Sequence, residues 1–60
     1  MEDKLYDLMK RTNDILEKTK KQSTIYKNDR IRLLNYYNSK TNIEEWENFV
    51  KEMEEKIARS

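Results

Sequence analysis

Residues 41–57 read TNIEEWENFVKEMEEKI. Within them Ile43, Trp46, Val50, Met53 and Ile57 recur at intervals of three, four, three and four, which stacks all five on one stripe of a 3.6-residue helix, with Phe49 widening it. Thr41 followed by Glu44 spells a capping box, in which the Thr hydroxyl accepts from the Glu44 backbone N–H and the carboxylate reaches back. The residues around its start, Asn38, Ser39, Lys40, Thr41 and Asn42, are all polar, and asparagine tolerates a left-handed backbone in place of the glycine that would ordinarily end a helix. The spacing therefore predicts a turn over 38–42 and a helix over 42–59.

Working back toward the N-terminus, Leu5, Leu8, Met9, Ile15 and Leu16 continue a helical stripe, with Thr12 and Thr19 at its intervening positions. The stripe fades through Lys20, Lys21, Gln22, Ser23 and Thr24, then resumes at Ile25, Tyr26, Leu33, Tyr36 and Tyr37. Ile31 and Leu34 lie further round, and Asp29 interrupts the apolar face. Two arrangements satisfy this pattern: one helix over 3–38, or a break near 22–29 with Asn28 or Asp29 capping a separate helix. The continuous helix is the preferred reading, because no strong stop signal falls between Gln22 and Asn28. Either way the fold class is all-α, a helical hairpin or small three-helix unit formed by one domain over 1–60.

Composition agrees. Gly and Pro are absent from the 60 residues, and Ala, Glu, Lys, Leu and Arg supply 27 of them, a share typical of long helices and coiled coils. A chain this short, only 35% apolar, buries too little surface to outweigh the entropy of ordering it by a wide margin. Self-association into a helical bundle or short coiled coil, or completion of the core by a protein partner, is the expected remedy. Lys, Asn, Ile and Tyr make up 24 residues, the usage of an A+T-rich genome such as that of a low-GC bacterium or its phage.

The same composition removes most catalytic chemistries. With neither Cys nor His there is no thiol or imidazole ligand, no disulfide and no side-chain base titrating near neutral pH. The acid–base material is carboxylate alone, Asp3 with Asp7 and Glu44, Glu45 and Glu47, and a general acid needs a pocket that so short a chain can scarcely enclose. The sequence is read as a non-enzyme with no cofactor, metal site or small-molecule substrate. No apolar run exceeds three residues, so neither a membrane span nor a secretion leader is expected, and the reading places the protein in the cytoplasm.

Charge is unevenly spread. Residues 1–9 sum to −2, residues 10–40 hold nine bases against three acids, and residues 41–60 sum to −3, giving +1 overall. Six acid-then-base pairs at i,i+4 account for much of this as self-paired helix surface: Asp7 with Arg11, Asp14 with Lys18, Glu17 with Lys21, Glu47 with Lys51, Glu52 with Lys56, and Glu55 with Arg59.

Two surfaces remain as candidate binding sites. Trp46, Phe49, Val50 and Met53 have the spacing of anchors for a partner's groove, although burial of Trp46 in the chain's own core is the favoured reading. Lys20, Lys27, Arg30 and Arg32, interleaved with Tyr26, Tyr36 and Tyr37, combine phosphate-binding cations with stacking rings, a mixture suited to nucleic acid unless the acidic C-terminal helix docks on it. The leading functional reading is a small non-catalytic regulator, inhibitor or adaptor acting through a helical face. A nucleic-acid-binding accessory protein and a structural assembly component are the alternatives.

Overall fold

A computed structural model describes residues 2–59 as three helices: α1, Glu2–Lys18; α2, Lys27–Ser39; and α3, Ile43–Arg59. A single 3-10 turn, Lys20–Gln22, and irregular turns over 23–26 separate α1 from α2. The fold is all-α, and of the two arrangements the sequence allowed it is the three-helix unit. The preferred continuous helix over 3–38 is overturned. Its break begins at Thr19, whose hydroxyl donates 2.8 Å back to the Ile15 carbonyl, and residues 22–26 then supply no run of strong helix formers to carry the helix onward. Nor does Asn28 or Asp29 start α2, because Tyr26 occupies the cap position and makes no side-chain capping bond.

Helix directions follow from cross-helix pairs. Lys4 meets Glu47 at 3.0 Å and Arg11 grips Glu54, so numbers rise together along α1 and α3 and these helices run parallel. Between α1 and α2 the pairing is reversed: Asn13 faces Tyr37 and Leu16 faces Arg30. Tyr36 with Glu45 and Asp29 with Lys56 reverse it again between α2 and α3. The chain runs up, down and up.

The core lies along the common axis. From α1 come Leu8 and Ile15, from α2 and the residue before it Tyr26, Leu33 and Tyr36, and from α3 Trp46, Phe49, Val50 and Met53. Each contributes about 1.5–3 kcal/mol on full burial. Thr12 and Thr19, the polar members of the α1 stripe, are buried with them and hydrogen-bonded. Among the described residues no buried side-chain polar atom lacks a partner. The α3 stripe packs as its spacing predicts, with Ile43 and Ile57 half-buried at its ends. One expectation about the core fails: Ile25, placed on the resumed stripe, stands 75% exposed.

The second turn also differs in detail. Lys40, not an asparagine, takes the left-handed conformation that ends α2, with φ 53° and its N–H donated 2.8 Å to the Tyr36 carbonyl. Asn42 is left-handed as well, at φ 53°, and its carbonyl accepts the Trp46 N–H at 2.9 Å. The capping box does not form. α3 starts at Ile43, and the Thr41 hydroxyl donates to the Ser39 hydroxyl oxygen instead.

Candidate functional site

The protein-interaction anchors expected on α3 are not on the surface. Trp46, Phe49, Val50 and Met53 are all buried in the chain's own core, because α3 turns its apolar stripe toward both other helices. Trp46 is sealed completely, its ring stacking at 6.5 Å on Tyr36 and its indole N–H donating 2.9 Å to the Thr12 hydroxyl.

Most of the proposed nucleic-acid set is likewise committed within the fold. Tyr26 and Tyr36 are buried, so neither offers a ring face to a base, and Tyr37 is half-buried beneath Lys40, whose ammonium lies 5.4 Å from its centroid. Arg32 lies over the Phe49 ring at 4.8 Å and reaches both Glu45, at 3.6 Å, and the Tyr36 hydroxyl. Tyr36 in turn donates 2.7 Å to Glu45, and its contact with Arg32 is the main cause holding the guanidinium above its ordinary pKa. Arg30 donates 2.6 Å to the Leu16 carbonyl and 2.9 Å to the Thr19 hydroxyl, closing the C-terminal end of α1 where carbonyls would otherwise lack partners. Of that set Lys20 and Lys27 alone remain exposed with no ion pair or hydrogen bond from their side chains among the described residues, and Lys21 beside them is the same.

Elsewhere acids and bases neutralise each other. Arg11 holds Glu54 through two nitrogens, Nε at 3.0 Å, and also reaches Asp7; hydrogen bonding to Glu54 is the larger cause of its raised pKa. Lys4, foremost, pulls Glu47 below the usual carboxylate range. Of the six helical pairs read from the sequence, Asp7 with Arg11, Asp14 with Lys18 and Glu55 with Arg59 form, while Lys56 crosses to Asp29 instead of meeting Glu52. Among the described residues no cluster of acidic side chains is arranged to hold a metal ion. Among the described residues no helix is long and apolar enough to cross a membrane.

What remains is a surface whose apolar members, Ile31 and Leu34, are not among the site residues expected from the sequence. Ile31 and Leu34, 49% and 44% exposed, lie on the outer side of α2 and line an open groove with Ser23, Thr24, Lys27 and Arg30. Their offset from the buried stripe was the available signal: at three residues apart they share a face with Lys27 that neither α1 nor α3 covers. Ile25, 75% exposed, lies in the turn leading into the same helix. No protein-family model matches the chain, and neither a curated protein nor a solved structure matches it.

Proposed function

We propose that the protein is a small non-catalytic interaction module, a regulator, inhibitor or adaptor, whose binding surface is the outer face of α2 and the turn before it. One observation carries this reading: a chain poor in apolar residues leaves Ile31 and Leu34 together in one open groove, while every Leu, Ile, Val and Met of α1 and α3 is buried or half-buried. The non-catalytic part is supported by the want of His and Cys and by carboxylates that lie on open helix surface. A cytoplasmic site of action belongs to the same proposal and rests on composition. Self-association is a competing use of the same exposed face.

The test is a paired capture. Ile31→Ser with Leu34→Ser should leave helicity and the thermal midpoint nearly unchanged, since both sites are exposed, and should remove the partner recovered from the native host by the unaltered protein. Equal recovery with both chains would reject the surface.

A second reading, a nucleic-acid accessory protein, draws on the unpaired Lys20, Lys21 and Lys27. It requires that Lys20→Glu and Lys27→Glu abolish a low-salt mobility shift, with each phosphate contact adding about 0.9 to the log–log salt slope on duplex DNA. No shift with the unaltered protein would end it.

A further inference from the structure

Resting on the interaction surface just described, we infer that the α2 groove takes an acidic amphipathic segment of another protein, apolar side chains on Ile31 and Leu34 and carboxylates against the lysines beside them. The argument is charge complementarity around an apolar floor. The groove's lining contains Lys27 and Arg30 and no carboxylate. Arg30 is held by two neutral oxygens, so its charge meets no anion within the fold, and Lys20 and Lys21 lie on the turn just ahead of the groove with no ion pair or hydrogen bond from their side chains among the described residues. The one acid in that stretch of α2, Asp29, is half-buried and held by Lys56 at 3.2 Å. An uncancelled positive rim around exposed aliphatic side chains favours an occupant that is apolar on one face and negative at its edges.

The same facts weigh against other occupants. A second copy laid groove to groove along α2 brings Lys27 and Arg30 toward their own counterparts, with no acid in the lining to meet them. A second copy offering α3 presents Glu44, Glu45, Glu52 and Glu55 but no large aliphatic side chain to fill the groove, because those of α3 are buried or half-buried. Nucleic acid would satisfy the lysines but leave Ile31 and Leu34 uncovered, and its bases would find no face of Tyr26 or Tyr36 to stack on, since both are buried.

Two synthetic helical peptides test this, each with leucines at i, i+3 and i+7, one carrying Glu and the other Lys at the flanking positions. They are titrated into the full chain while its backbone amide resonances are followed. The acidic peptide should shift resonances of residues 20–34, the basic one should not, and raising salt from about 20 to about 300 mM should weaken binding because exposed charge pairs are screened. Lys20→Glu with Lys27→Glu should weaken it roughly tenfold, and Ile31→Ser with Leu34→Ser should abolish it. Equal binding of both peptides would overturn the acidic occupant. So would concentration-dependent shifts at the same residues with a dimeric mass and no peptide, or shifts produced by DNA and insensitive to the Ile31 and Leu34 changes. Failure of both peptides to bind, alongside partner capture that still depends on Ile31 and Leu34, overturns this inference and leaves the interaction surface standing; loss of that dependence removes both.

Discussion

The indole N–H of Trp46 donates a 2.9 Å hydrogen bond to the Thr12 hydroxyl where both side chains are sealed from water. The bond joins the start of α3 to the middle of α1 and gives the largest side chain of the core its polar partner. A buried indole N–H without an acceptor loses its bonds to water and regains nothing.

Thr12→Val should therefore destabilise the protein by about 1–3 kcal/mol, although Val matches Thr closely in shape. Trp46→Ala should cost about 3–5 kcal/mol, enough to unfold a domain of this size. Urea melts measure both, and a blue-shifted, poorly quenched emission from the unaltered protein is expected alongside. Neutral behaviour of Thr12→Val would show that the hydrogen bond carries no stability.

Arg30 joins the two sides of the 19–26 break. Replacing it with Met keeps much of its apolar stem and removes the donors to the Leu16 carbonyl and Thr19 hydroxyl, at an expected cost of about 1.5 kcal/mol. Hydrogen exchange should quicken over residues 16–26 ahead of α3. Uniform acceleration across the chain would contradict a local role.

Lys40 and Asn42 both have φ 53° in a chain without glycine. A left-handed residue bearing a Cβ costs about 1–2 kcal/mol, and asparagine bears it better than lysine. Lys40→Gly should raise the melting midpoint and Asn42→Gly should raise it less, or not at all. A midpoint lowered by Lys40→Gly would mean that contact with the Tyr37 ring outweighs the backbone relief.

Glu47 has its pKa lowered, chiefly by the hydrogen bond from Lys4. A depressed acid contributes stability above its unfolded pKa, and that contribution disappears as pH falls through the folded value. Glu47→Gln should flatten the stability profile below about pH 4.5, close to the ordinary Glu value, and change little in shape above about pH 6. An unchanged acid limb would show that the Lys4 contact gives the protein no acid-sensitive stability.

The parts of this fold that were legible in the sequence are those where one face has one fate. Along α3 every stripe residue is covered by the other helices, so spacing alone located the helix to within about a residue at either end. The α1–α2 break escaped because its phase is preserved: buried Leu8, Thr12, Ile15, Thr19, Tyr26 and Leu33 keep a three–four–seven rhythm straight through it. The break was marked only by Gln22 and Asp29 falling where that rhythm calls for apolar side chains, and by Thr19, whose hydroxyl competes for its own helix's carbonyl. The candidate surface escaped for the opposite reason. Side-chain size drew attention to Trp46 and Phe49, whereas what sets Ile31 and Leu34 apart is only their angle from the buried stripe.

Parallel pairing of α1 with α3 sorts charge along the molecule. Asp3, Asp7, Glu44, Glu45 and Glu47 stand toward one end with Lys4, Arg32 and Lys40, while at the other Lys18, Lys56 and Arg59 are met by Asp14, Asp29 and Glu55, and Lys20, Lys21, Lys27 and Arg30 meet no anion among the described residues. A net charge of +1 thus hides a local excess of positive charge where α1 stops and α2 begins. In the field of a charged partner such a molecule turns before it touches, basic end foremost toward an anion, so ionic strength governs how often an encounter arrives in a productive orientation as well as how long it lasts.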